Sequence, residues 1–356
     1  MDKQPKHYPY SSLTVGNERI MLVGGAGFIG HNLALELRRK GAEVLILDNL
    51  QINNIVNVVT NTTLDSTRRR VYTKFLLDRF ELLRSASVEI MNVDSRQMSE
   101  FANVFSEFEP TKVVHMAAIS SAVTANKMPG LAWDLEINGL RNIIELARMK
   151  DSQVKQLMVM SSSTVYGDFE QESVNEHMRP RPKGVYANGK YIVERMVREA
   201  ERLYGLSYTI IRPSALYGER CISGRVSQKF VENALLGKSL ILEGGGSSRL
   251  DFTYIQDLVV GMVRALAIKA ALSRTFNITF GNSRSIFDLV TIIKEHIPDV
   301  VVEERAADAE KPKRGTLMID HARQHLDFEP QYPLETGYSR YVEWYVQQWE
   351  EVKSRI

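Results

Sequence analysis

The sequence is poor in cysteine, in long apolar runs and in net charge, and each shortage removes a class of protein. Cys221 is the only cysteine in 356 residues. No internal disulfide can form, so a reducing, cytoplasmic setting is expected. No stretch approaches the roughly eighteen uncharged apolar residues of a membrane span. Lys and Arg total 45 against 43 for Asp and Glu, a net charge of +2. Neither nucleic acid nor a membrane is therefore expected as a partner. The densest basic run, Arg68-Arg69-Arg70, reads as a solvated helix face. The histidines, His115, His177 and His296 among them, are scattered without the spacing of helix ligands, so no metal is expected. Repeats and low-complexity tracts are missing. Residues 1–19 are polar, carry Pro5 and Pro9, and lack the apolar core of a signal peptide. A partly ordered tail is expected over 1–18.

What remains is the composition of a globular chain, 44% hydrophobic and 25% charged. Its length suits about two domains, or one large α/β domain with an appendage. Ile20-Met21-Leu22-Val23 is a short apolar run ending in glycine, the pattern of a buried parallel strand. Helical spacing follows from Phe28 to Lys40 (Ile29, Leu33, Leu37), with Gly41 as its stop. Val44-Leu45-Ile46-Leu47 is the next strand. Residues 49–87 interrupt the rhythm with an asparagine-rich piece (Asn53, Asn54, Asn57, Asn61) and an amphipathic helix from about Asp65 to Arg84. Strands resume at Val88–Met91, Val113–Met116, Leu157–Met160 and Tyr208–Ile211. Helices are predicted at Gln97–Phe108, Leu135–Lys150 and Tyr186–Tyr204, then at Asp288–His296 and Leu334–Glu350. Alternating strands and helices predict an α/β fold, a Rossmann-type doubly wound parallel sheet. The division expected is a sheet domain over 19–212, interrupted at 49–87, and a smaller C-terminal lobe over 213–356. That lobe would close over the ligand, with some of its segments returning to the sheet.

Two stretches carry the chemistry. Gly24, Gly27 and Gly30, with Phe28 and Ile29 between them, follow a strand and open a helix. The first glycine permits the turn, the second lets backbone approach a pyrophosphate, and the third lets the helix pack on the strand. Asp48 ends the next strand about twenty residues on, where an acid can bind a ribose 2′-hydroxyl. Its charge repels a 2′-phosphate, so the cofactor expected is NAD rather than NADP. Asp94 follows the third strand, where it can bond an adenine amino group, cap the following helix, or both. His115 is expected at a strand end near the adenosine half.

The second stretch pairs Tyr186 with Lys190, four residues apart and so on one helix face. A phenol of pKa about 10 is a poor base near neutrality, and lowering it by about three units takes roughly 4 kcal/mol. The Lys190 ammonium can supply part of that, and an oxidised nicotinamide would add to it. A hydroxyl from Ser162 or Ser163, at the end of the preceding strand, can share the substrate proton. Together these residues point to a hydride-transferring enzyme.

At this point the chain resembles a known family over about Arg19 to Gln348: the extended short-chain dehydrogenase/reductases acting on nucleotide-diphosphate sugars, with UDP-glucose 4-epimerase and its relatives as the nearest type. The resemblance rests on Val23 to Gly30, His115-Met116-Ala117-Ala118, Ser161-Ser162-Ser163-Thr164-Val165-Tyr166-Gly167, Tyr186-x-x-x-Lys190, Arg212-Pro213-Ser214-Ala215-Leu216-Tyr217-Gly218, and Asp251-Phe252-Thr253-Tyr254-Ile255-x-Asp257. It implies that Ser162, Tyr186 and Lys190 are catalytic. It also implies that Asn49, Ala117 and Ala118 join the cofactor site, and that the protein is a homodimer through Leu135–Lys150 and Tyr186–Tyr204. The implied reaction is oxidation of a nucleotide-diphosphate sugar at C4 with NAD.

The family's dehydratases and decarboxylases carry an acidic residue after the catalytic hydroxyl. Ser163 and Thr164 stand there instead, which favours an epimerase. The alternative is a 4-dehydrogenase that releases the keto sugar. A 4,6-dehydratase and a non-catalytic NAD(H) sensor rank lower. The substrate pocket departs from the family at Ala215, at Glu219-Arg220, and at Arg249-Leu250-Asp251-Phe252, where the arginine is displaced by one residue. These departures leave the nucleotide open. Candidate diphosphate ligands are Arg220, Arg225, Arg249, Arg305 and Arg314, of which about two should touch ligand, with Ser163 and Thr164 beside the sugar. Cys221 reads as a small thiol of the substrate loop.

Overall fold

A computed structural model describes residues 13–52, 54–307 and 312–354. The first twelve residues of the expected tail, and Asn53 of the asparagine-rich piece, lie outside the described residues. Residues 13–18 are tied down: Val15 is buried, its N–H donates to the Lys40 carbonyl, and Thr14 Oγ1 donates to the same oxygen.

Seven strands form one parallel sheet: β1 (Arg19–Val23), β2 (Glu43–Leu47), β3 (Glu89–Met91), β4 (Lys112–His115), β5 (Gln156–Met160), β6 (Tyr208–Arg212) and β7 (Arg274–Asn277). Their spatial order is β7-β6-β5-β4-β1-β2-β3. The chain therefore starts in the middle, builds outward to β3, and then crosses to β4. β1 and β4 lie side by side with Val23 opposite His115, and the crevice at such a switch point is where open α/β sheets bind ligands. The β7 strand comes from the C-terminal segment and pairs with β6, Asn277 opposite Arg212.

Strand periodicity explains the layers. Ile20 and Leu22 of β1, with Val44 and Ile46 of β2, enter one core; Met21, Val23, Leu45 and Leu47 enter the other. Both faces are covered, so the strands read as continuous apolar runs. Six helices matter below: α1 (Phe28–Arg39), α2 (Ser66–Ser85), α3 (Gly139–Ala147), α4 (Gly184–Tyr204), α5 (Ile255–Ala267) and α6 (Leu334–Lys353).

The helix expected over Leu135–Lys150 starts earlier and is not uniform. A short helix Pro129–Trp133 passes through a π turn at Asp134–Asn138 into α3, which stops at Ala147. π turns inside helices are uncommon and concentrate at functional sites.

The interrupting segment 49–87 forms a short helix at Ile55–Thr60 and then α2, capped by the Asp65 carboxylate on the Arg68 N–H at 2.9 Å. Arg68 is not a free solvated residue; it pairs with Asp65 and approaches buried Glu232 at 3.8 Å. α2 packs on α6, where Phe75 meets Trp344 and Tyr345. Tyr72 and Tyr345 both donate to Glu232 at 2.6 Å, and Arg79 donates to the Arg220 carbonyl at 2.5 Å. The segment thus fastens the first half of the chain to residues 220–232.

Candidate active site

Two adjoining cavities open at the carboxyl ends of β1, β2, β4 and β5. The first is lined by Gly24, Gly27, Phe28, Ile29, Gly30, Asp48, Asn49, Asp94, Ala117 and Ala118, each expected at the cofactor. The second is lined by Ser162, Ser163, Thr164, Tyr186, Lys190, Arg225 and Arg314. Ile29, Met116, Ala118, Ser120, Leu216 and Arg225 border both.

The glycine loop has the shape of a phosphate cradle. Gly24 has φ +77°, and a Cβ there would lie 2.5 Å from the Ala117 nitrogen. A Cβ on Gly30 would lie 2.3 Å from the Gly25 carbonyl oxygen, so only glycine lets α1 seat on the loop. Gly27 differs: its Cβ would meet only Gly24 O, at 3.7 Å, and would project into the cavity it lines. The space a side chain would fill is free for a ligand at the helix N-terminus, whose exposed N–H groups favour an anion.

Asp48 anchors the far end. Its carboxylate accepts from Ala26 N at 3.0 Å and Leu50 N at 2.8 Å, leaving further lone pairs toward the cavity. Burial raises its pKa, and those two N–H bonds oppose the rise. A carboxylate held this way suits a diol and disfavours a phosphate. Asp94 is held differently. Arg96 grips it with side chain and backbone, Asn49 donates to it at 3.0 Å, and Arg96 pulls its pKa down to about 2. It does not cap the next helix, whose N-cap is Gln97. Its carboxylate instead accepts from the Arg96 N–H two residues on, at 3.0 Å, in a local turn.

The second cavity is built where β5 ends. Ser162 caps a 3₁₀ turn, Ser163–Tyr166, its Oγ accepting from Thr164 N at 3.2 Å. The turn lays the hydroxyls of residues 162–164 along one wall. Thr164 Oγ1 is buried without a hydrogen-bond partner. Tyr186 and Lys190 enter from the first turns of α4, with Nζ 5.8 Å from the centre of the tyrosine ring. Beneath the wall, Glu194 takes two bonds of 2.7 Å from Arg212 and one of 2.6 Å from Ser161 Oγ, all fully buried. This ties β5, β6 and α4 into one floor.

Of the five candidate arginines, the structure brings two to the second cavity. Arg225 stands at the N-cap of helix Val226–Leu235, and its guanidinium has no hydrogen-bond or ion-pair partner among the described residues. Arg314 lines the same cavity, bonded to the Gly167 carbonyl, and burial lowers its pKa. Arg220, Arg249 and Arg305 line neither cavity. Arg220 turns at φ +61° and rests its guanidinium on His31. Arg249 pairs across a two-strand ribbon with Ser283, and Arg305 with Glu303. The neighbour of Arg249, Leu250, reaches the cavity instead. Cys221 is buried against Ser223 and also lines neither.

His115 ends β4, opposite Val23 of β1. Its ring is buried, Nε2 donates to the Glu136 carbonyl at 3.0 Å, and burial, then Lys190, push its pKa down to about 3. It lines neither cavity. Glu136 was not anticipated at all. It sits in the π turn, and Oε1 lies 2.7 Å from Lys190 Nζ. The one trace of it in the sequence is Gly189, where a Cβ would lie 2.2 Å from Glu136 Oε2.

A switch-point dinucleotide cradle beside a serine–tyrosine–lysine chamber defines a nicotinamide-dependent oxidoreductase of the short-chain type. The chain belongs to the NAD dependent epimerase/dehydratase family, whose model matches residues 20–279. Over 91% of its length it is 29% identical to 97% of a putative UDP-glucose 4-epimerase of Methanocaldococcus jannaschii. Over 92% it is 28% identical to 75% of UDP-glucuronate 4-epimerase 2 of Arabidopsis thaliana. Its fold is that of UDP-glucuronic acid 4-epimerase from Bacillus cereus, solved with UDP-glucuronic acid and NAD: TM-score 0.78 at 21% identity, covering 92% of this chain and 99% of that one.

Proposed function

We propose that this protein is an NAD-dependent epimerase that inverts C4 of a nucleotide-diphosphate sugar through a 4-keto intermediate. The observation that carries the reading is the pair of adjoining cavities: one fits a dinucleotide, and the other offers a phenol, hydroxyls and two arginines but no carboxylate. NAD, when bound, supplies a hydride acceptor that can return what it takes. The chain's own residues supply the rest. Tyr186 takes the proton of the sugar 4-hydroxyl, and Ser162 shares that hydrogen bond. Lys190 favours the phenolate by its charge. Thr164 Oγ1 and Ser163 hydrogen-bond the sugar, and Arg225 and Arg314 hold the diphosphate.

The missing carboxylate separates this reading from its neighbours. Among the described residues, no Asp or Glu lines the second cavity. Elimination of water or loss of CO₂ through the 4-ketone would lack the carboxylate that serves those reactions, whereas epimerisation needs only that the ketone present its other face. The relatives named above are 4-epimerases of UDP-sugars, which supports the same choice and makes a UDP-sugar the first candidate substrate.

A homodimer through α3 and α4 fits as well. Ile192, Leu203 and Tyr204 of α4 and Trp133 just before the π turn are exposed apolar side chains. A monomeric mass at micromolar concentration would exclude it.

The deciding experiment is product analysis by proton NMR, with catalytic NAD⁺, a panel of UDP-, GDP-, CDP- and dTDP-sugars, and NADH absorbance followed in parallel. A sugar isomer without NADH accumulation is expected. A 4-keto sugar with stoichiometric NADH would overturn the epimerase reading in favour of a dehydrogenase.

A further inference from the structure

Lys190 is a buried ammonium with a buried counter-ion behind it. Its exposure is 5% and that of Glu136 is 2%, with Nζ and Oε1 2.7 Å apart. Glu136 lines neither cavity, and Lys190, with which it pairs, lines the second. Its position is enforced twice. The π turn carries its carbonyl onto His115, and the missing side chain of Gly189 leaves room for its carboxylate against α4.

From these contacts we propose that Glu136 is a positioning residue: the internal counter-ion that keeps Lys190 charged and fixed beside Tyr186. The proposal rests on the roles given above to Tyr186 and Lys190 and adds a third member behind them. An ammonium removed from water loses its solvation, and a buried lysine without an anion shifts toward the neutral amine. Neutral, it would neither favour the phenolate nor donate three hydrogen bonds. The groups facing the pair are few. β4 contributes His115, held neutral; α4 contributes Lys190 and Tyr186; the π turn contributes Glu136 itself. Burial opposes the Lys190 charge, but Glu136 and then Tyr186 outweigh it, and the amine's pKa is raised. Burial also raises the Glu136 carboxyl, against the pull of Lys190.

The test reads the charge of Lys190 without turnover. Reductive methylation with formaldehyde and a borohydride modifies only the neutral amine, and peptide mass spectrometry follows Lys190 against pH. In Glu136→Gln the midpoint for Lys190 should fall by about one to three units relative to wild type. Gly189→Ala provides an independent arm, because its methyl would displace the carboxylate while favouring the helix. It should shift the midpoint in the same direction. An unchanged midpoint in either folded variant would overturn the proposal. So would a fall in thermal stability with the Lys190 profile intact, since that is all a purely structural residue would show. If no nucleotide sugar is turned over by wild type, the epimerase reading fails while the labelling result still stands or falls alone.

Discussion

Glu194→Ala should cost more stability than any exposed substitution, and the structure sets its size. Glu194 is 0% exposed and Arg212 1%. Two bonds of 2.7 Å join them, and Ser161 Oγ and Arg198 bond the same carboxylate. Removing the acid strands a guanidinium in the core. Breaking one side of such a buried pair costs about 3–5 kcal/mol, because the remaining charge is left uncompensated. That is a large part of the roughly 5–15 kcal/mol that holds a typical domain together. Urea unfolding followed by tryptophan fluorescence, at constant m-value, measures the loss. Arg212→Met in the same background supplies the cycle: the double variant should recover about 1–3 kcal/mol of the summed single losses. Burial raises the Glu194 pKa, but Arg212 outweighs it, and the net shift is downward. Its stabilisation is therefore complete above the ordinary carboxyl range and is lost as pH falls through the depressed value, so the variant and wild type should converge in strong acid. A single loss under about 1 kcal/mol, or strict additivity with Arg212→Met, would refute the claim that this pair is the floor of the site.

Four further outcomes follow from the geometry. Tyr186→Phe should bind NAD as wild type does and lose turnover by roughly a thousandfold or more, the scale of removing a general base; retained turnover would take Tyr186 out of its role. Gly30→Ala should lower stability by about 1–3 kcal/mol and weaken NAD binding about tenfold in calorimetry, because its methyl would overlap the Gly25 carbonyl. Buried His115 is neutral in the fold, with its pKa near 3, and ordinary when unfolded. Its contribution is thus fully present above about pH 6.5 and drains as pH falls toward 3, by up to about 1.4 kcal/mol per unit; His115→Asn should flatten that part of the stability–pH curve. Arg225→Ala and Arg314→Ala should each raise KM for the sugar nucleotide about tenfold, as loss of a charge-assisted bond does, whereas Arg249→Ala should leave it unchanged.

The first half of the chain was legible because its signals are local. Apolar runs such as Leu157–Met160 are buried on both faces, and length and flanking turns alone place them. Asp65 capping its own helix and Gly24 at φ +77° are likewise written within a few residues. β7 was not read, because Arg274–Asn277 has only two buried residues, and its strand character comes from pairing with β6. Helices Val226–Leu235 and α5 were missed for a related reason. α5 is buried almost all round, which leaves no polar face to reveal a period.

The site divides along the same line. The lining of the first cavity was legible because close backbone approach at Gly24 and Gly30 permits only glycine, and Asp48 stands at a fixed remove from them. The arginines were not readable, since five residues of one type carry no mark of which partner each will find; Ser283 claimed Arg249 from thirty-four positions away. Glu136 was the hardest. A glutamate inside a helical run is ordinarily a solvated residue, and nothing in its neighbours announces a π turn. Its only correlate is Gly189, four-fifths of the way through the Tyr186–Lys190 motif, a glycine inside a helix that would be more stable with alanine. Such a glycine marks a neighbour that needs the space. Here the neighbour is the Glu136 carboxylate, 2.7 Å from the Lys190 ammonium.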